Sequence, residues 1–219
     1  ELNGQPVNPN NGYTTEGKTG LMRCRDADSG VLHREQELQN GKFMGVVRYF
    51  NTKTGQLERE HSVNERGNRD GVAREWRIDE ASGKRVLIRE ETLTNGRARG
   101  VVRTWYPSGQ RQRLTFYGDN EREQASVEFT SDGKLGDLRC TAEPVFGADF
   151  DDKAACGHAG GASTVTLYGG KGQPNARVVF ERGERRKSET LWESGTVREL
   201  RETTPTGSLE RRFAADGVK

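Results

Sequence analysis

The sequence predicts an all-β protein: an elongated, twisted antiparallel sheet of repeated β-hairpins. Three observations predict it. First, one phrase recurs as Gly45-Val-Val-Arg-Tyr-Phe50, Gly71-Val-Ala-Arg-Glu-Trp76 and Gly100-Val-Val-Arg-Thr-Trp105, each followed by a further glycine at Gly55, Gly83 and Gly109. β-Branched and aromatic residues of this kind suit a pleated surface, and a repeated phrase signals a repeated structural unit. Second, glycine is abundant, at 28 of 219 residues. It returns too often for long helices, and no window keeps a 3.6-residue apolar period. Third, only 31% of residues are hydrophobic. Thin β layers need less apolar volume than one thick core.

Residues 1–16, ELNGQPVNPNNGYTTE, are rich in Asn, Gly and Pro and read as a flexible lead-in. A single repeat domain is expected over 17–217. The aromatic ending the first strand of each unit gives the register: Phe50, Trp76, Trp105, Phe129, Tyr168 and Trp192, at spacings of 26, 29, 24, 39 and 24. A Leu or Val often stands two residues after the next glycine, as at Leu57, Leu135 and Val197. About seven units result, with Lys18–Asn40 a degenerate first one and Thr206–Gly217 a partial last one. In Val46–Phe50 and Val101–Trp105 both strand faces carry apolar residues, so these strands either bulge or are covered on both sides. Trp76, Trp105 and Trp192 are expected as core rungs rather than exposed stacking platforms.

The spacing of 39 contains an insertion at about 141–162. Cys140 and Cys156 bracket it. Bridged, they would close a short loop worth about 3 kcal/mol in the chain-entropy model, given an oxidising compartment. The alternative is three reduced thiols. Cys24 lies at a strand-like position and reads as a half-buried thiol. The insertion holds Glu143, Asp149, Asp151 and Asp152 against Lys153, a charge of −3 in a chain of net +2. Phe146, Asp149, Phe150, Asp151 and Asp152 are therefore candidate partner-binding residues on a projecting loop, since loops carry function on rigid scaffolds. The other readings of the acids are a solvated loop tip or calcium ligation. The EF-hand spacing is absent.

Arg48, Arg74 and Arg103 share one position of the repeat and would line up across stacked hairpins. They are a second candidate set, able to meet phosphate or carboxylate groups of a partner or a lipid surface. The competing reading is an Arg–Glu ladder across strands. Near-balance of 35 Lys+Arg with 33 Asp+Glu favours the ladder. That balance also gives no general reason to expect nucleic-acid binding. The run Arg182-Gly-Glu-Arg-Arg-Lys187 reads as a solvated hairpin turn.

Little points to catalysis. His33, His61 and His158 are far apart in sequence, and no G-x-S-x-G elbow occurs. Ser82, Ser108 and Ser194 precede the repeat glycines as turn residues. Cys156-Gly-His158 is the one close Cys/His pair, too few ligands for zinc. No enzyme activity, metal or cofactor is expected.

The pattern N-G-x-x-x-G-x-x-[RK]-x-[FWY]…G-x-[LV] is carried by Asn40-Gly41…Gly45…Arg48…Phe50…Gly55…Leu57 and by Asn95-Gly96…Gly100…Arg103…Trp105…Gly109. Gly67…Gly71…Arg74…Trp76…Gly83 fits nearly as well, whereas Gln124 and Lys187 replace the central glycine in two later units. Over roughly 30–217 the chain resembles the bacterial variant of the MORN-like repeat. The resemblance implies an array of β-hairpins that binds proteins or, in some members, lipids. One similar group comprises periplasmic immunity proteins that neutralise phospholipase effectors of the type VI secretion system. The resemblance thus implies a non-catalytic protein with a cognate lipase effector as partner and a periplasmic location. A start at Glu1 without Met is compatible with a processed chain or a trimmed one. The alternatives are a membrane-associated scaffold on anionic lipid, or a regulatory module of another enzyme. Oligomeric state stays open.

Overall fold

The computed structural model describes residues 1–79, 82–204 and 206–215. The protein is all-β, in two antiparallel sheets of consecutive hairpins. The ten-stranded sheet runs in sequence order through β1 (Gly20–Arg25), β2 (Leu32–Gln39), β3 (Lys42–Phe50), β4 (Leu57–Val63), β5 (Gly71–Ile78), β6 (Arg85–Thr94), β7 (Arg97–Trp105), β8 (Arg111–Tyr117), β9 (Glu123–Phe129) and β10 (Leu135–Arg139). The five-stranded sheet holds β11 (Ser163–Tyr168), β12 (Pro174–Glu181), β13 (Glu184–Leu191), β14 (Val197–Thr204) and β15 (Gly207–Arg212). The chain forms two compact units, Glu1–Gly109 and Gln110–Lys219, where the repeat suggested one array.

In the first unit the repeated phrase has a direct structural meaning. Asn95 (φ 50°) and Gly96 (φ 86°) both take left-handed backbone. That is the two-residue hairpin turn whose twist matches its flanking strands, and it explains the Asn-Gly pair. Asn40-Gly41 forms the same turn between β2 and β3. The next glycine of the phrase is a bulge. Gln36 pairs with Val47 and Leu38 with Phe43, so Met44-Gly45-Val46 all face Glu37. Gly45 has φ 88°, and the Glu37 carboxylate, accepting from the Val46 N–H at 3.0 Å, fills the place of a Cβ. Between β6 and β7 the register slips in the same way around Gly100. A bulge shifts which face each side chain meets, which accounts for the apolar residues on both faces of these strands.

A second slip falls just before the aromatic, between Tyr49 and Phe50 and again between Glu75 and Trp76; Phe50 ends its strand, while β5 runs on to Ile78. Phe50 there faces Leu57 and Trp76 faces Leu87. Trp76 and Trp105 are consequently half-buried, not core rungs. The buried positions are smaller: Leu38, Val47, Ala73, Leu93 and Val102. Residues 1–16 do not trail as a lead-in. Leu2 is buried and packs with Met22 and Leu38, bridging to Met22. The Glu1 carbonyl accepts from Arg23 N–H at 2.8 Å, a 3-10 turn spans Gly12–Thr14, and Thr15 is buried. Burying Leu2 offsets the entropy of ordering this polar segment. Cys24 is a half-buried free thiol against the same cluster.

In the second unit Leu114, Ala125, Val127 and Leu138 are fully buried between β8 and β10, as are Val178 and Phe180 on β12. Phe129 ends β9, as the repeat predicted, and faces Leu135. Trp192 is one place out of register. Leu191, buried, faces Val197, while Trp192 lies in the turn, where its indole N–H donates to the Phe213 carbonyl at 3.3 Å. Arg182-Gly183 is the turn between β12 and β13. The end of the predicted last unit, 216–217, lies outside the described residues.

Candidate functional site

Three surfaces bear on function, and the first is the arginine row. In strict register, Arg23 (β1) faces Glu35 (β2), Glu35 faces Arg48 (β3), Arg48 faces Glu60 (β4), Glu60 faces Arg74 (β5), Arg74 faces Glu90 (β6) and Glu90 faces Arg103 (β7). Signs alternate across all seven strands of the first unit. Arg48 Nε reaches Glu60 at 2.7 Å and its Nη1 reaches Glu35 at 3.4 Å; Arg74 Nε reaches Glu90 at 2.7 Å and Arg103 Nη1 reaches it at 3.5 Å. The hydrogen bond that Arg48 donates to Glu60 holds its guanidinium above the ordinary arginine pKa. Arg48, Arg74 and Arg103 therefore form the cross-strand ladder, with their charges answered inside the sheet.

The second surface is the insertion. Cys140 and Cys156 form a disulfide, with Cα atoms 5.9 Å apart. Between them lie a 3-10 turn, Gly147–Asp149, and a one-turn helix α1, Asp152–Ala155. The segment does not project. Phe146 is buried, and Phe150 stands edge-on to both Phe146 and Phe129, at centroid distances of 6.3 and 6.2 Å. Asp152 is only 4% exposed, and its carboxylate accepts from the Val145 and Phe146 N–H groups. Asp151 caps α1, accepting from Ala154 N–H at 3.0 Å. Asp149 meets Arg111 at 3.0 Å. The acids hold the insertion together, and Phe146 and Asp152 are inaccessible to a partner. A run of carboxylates reads as a solvated tip until the backbone N–H groups it must satisfy are known. Among the described residues no group of three or more His, Cys, Asp or Glu is placed to hold a metal.

The third surface was not foreseen. An open groove of about 870 Å³ in the first unit has Trp76, Ile78, Val86, Ile88 and Pro107 along its apolar lining, with Lys53, Glu58 and Asp79 among its polar residues. The Arg85 guanidinium lies 4.7 Å from the centre of the Trp76 ring. The bulge before Trp76 leaves this large side chain near the end of β5, in the groove it shares with the turn that begins at Asn51. Only the repetition of aromatics at this place hinted at it.

No protein-family model matches the chain, and no curated protein matches it. Among solved structures, the crystal structure of TarM aligns with 46% of this chain at 17% identity and a TM-score of 0.27. The chain spans 18% of TarM's length. A protein of unknown function from Bacteroides fragilis aligns over 86% of this chain and 94% of its own, at 8% identity and a TM-score of 0.15. Among the described residues no helix is long and apolar enough to cross a membrane.

Proposed function

We propose that this protein is a non-catalytic binding protein that neutralises a secreted lipase or phospholipase effector by covering it, and that it works in the periplasm. The groove at Trp76 carries the reading. An aromatic and aliphatic floor with a charged rim is the anatomy of a protein–protein contact, and Trp and Arg dominate the energetics of such contacts. The sheet around it is held in register by bulges and cross-strand ion pairs, so little ordering cost falls on binding. The Cys140–Cys156 disulfide fits an oxidising compartment. The lipid-scaffold alternative loses support, because Arg48, Arg74 and Arg103 already face glutamates.

The test is inhibition of the lipase encoded beside this gene. A stoichiometric complex burying on the order of 1,200–2,000 Å², with loss of lipase activity, is expected. Trp76→Ala should weaken it by at least about tenfold. A lipase that is neither bound nor inhibited sinks the reading.

A further inference from the structure

The two faces of the first unit's sheet are electrostatically unlike. Every arginine of the ladder meets a glutamate. On the opposite face, in direct register, Arg34 (β2) faces Tyr49 (β3) and Tyr49 faces Arg59 (β4). Both guanidiniums lie over the Tyr49 ring, at 5.5 and 4.7 Å from its centre. His61, two residues beyond Arg59 and thus on the same face, stacks on Tyr49 with centroids 6.1 Å apart and planes at 23°. Arg69 joins from the bridge it forms with Val63. Burial, with the fields of Arg69, Arg59 and Arg34 added to it, pushes the His61 pKa down to about 4. His61 is therefore neutral at physiological pH, and the cluster owes its charge to the arginines.

These charges are not answered within the sheet. Arg34 donates to the amide oxygen of the buried Gln36 at 2.9 Å, a neutral partner. The Nε atoms of Arg34 and Arg69 are buried without any acceptor. Among the described residues, Arg59, exposed, has no ion pair. The acids of β1–β6 on this face are Glu75 and Glu91. Glu91 is held by Arg89 at 2.6 Å. Glu75 stands opposite Arg59 in register without an ion pair. Three guanidiniums less the charge of Glu75 leave a local charge of about +2. Buried donors without acceptors are rare because each costs its desolvation.

We infer that Arg34, Arg59 and Arg69, arranged around the Tyr49–His61 stack, form a binding site for a dianionic phosphate group. Such a group matches the residual charge, and its oxygens supply acceptors for the exposed Arg59 guanidinium and for the terminal nitrogens of the partly exposed Arg34 and Arg69. A single carboxylate would leave one positive charge unanswered and offers fewer acceptors. The phosphate is either free in solution or the monoester of a lipid headgroup. The site does not rest on the lipase-binding reading.

The test uses the full chain, with inorganic phosphate titrated against chloride at constant ionic strength and the His61 ring followed by NMR. A saturable change is expected, together with a His61 titration midpoint that rises when phosphate is bound. Arg59→Gln should lower phosphate affinity at least tenfold and Arg34→Gln similarly, while Arg74→Gln, on the ladder face, should not. Vesicles containing phosphatidic acid compete with the phosphate if the group belongs to a lipid, and leave the titration unchanged if it is free. The inference is overturned if chloride alone reproduces the change, or if Arg59→Gln and Arg74→Gln behave alike.

Discussion

The Asp152 carboxylate holds Phe146 in place: it accepts the Phe146 N–H at 3.1 Å and the neighbouring Val145 N–H at 2.6 Å, in a buried setting. Removing the acceptor leaves two N–H groups without partners. Asp152→Ala should therefore destabilise the second unit by about 2–4 kcal/mol. Asp151→Ala removes only a helix cap and should cost about 1 kcal/mol. Urea unfolding distinguishes them; equal effects would mean that Asp152 has no special role.

Reducing Cys140–Cys156 should lower the stability of the second unit by about 3 kcal/mol, by the loop-closure argument. The first unit contains no part of that loop. Its hydrogen-exchange protection should stay unchanged in a Cys140→Ser, Cys156→Ser protein.

The ladder predicts modest, salt-sensitive couplings. Arg48 and Glu60, at 2.7 Å, should couple by about 0.5–1 kcal/mol in a double-mutant cycle, since both side chains remain partly exposed. The coupling should shrink in high salt. A coupling of zero at low salt would reduce the ladder to a geometric pattern without energetic content.

His61 makes the first unit acid-sensitive. Its folded pKa of about 4 lies below the ordinary 6.5. Between these values the unfolded chain binds more protons, so stability is fully present above about pH 6.5 and falls as the pH drops toward 4. After allowance for solvent screening the loss is about 1 kcal/mol. His61→Gln should flatten this part of the stability–pH curve, and an unaltered slope would assign it to other groups.

Gly45→Ala places a methyl group against the Glu37 carboxylate at φ 88°. A cost of about 1–3 kcal/mol is expected from the backbone conformation and the crowding together. Gly12→Ala, with open space and ordinary backbone, serves as the neutral comparison in thermal unfolding.

Local chemistry made much of the fold legible. Asn95-Gly96 announces its hairpin because few other pairs tolerate that turn, and Gly45 and Gly100 recur because the bulge does. The pairing of Cys140 with Cys156 was readable from their position around one irregular segment. What stayed hidden depends on register over long sequence separations. Leu191 and Trp192 differ by one place, and only the pairing with Val197 tells which is buried. Arg23 and Glu35 lie in strands without the repeated phrase, so the ladder looked shorter than it is. Arg34 and Arg59 share one place of the repeat, two residues past Leu32 and Leu57, but Arg69 lies outside it. Their charge emerges only once the carboxylates of each face can be assigned.

The alternation of Arg and Glu has a period of two strands, which is also the length of one hairpin. Duplicating or deleting a whole hairpin keeps the parity of the ladder and adds no net charge along it. Losing a single strand would set like charges side by side at the junction. The array can therefore grow or shrink in evolution by complete hairpins, each new copy arriving with its electrostatic neighbours already matched.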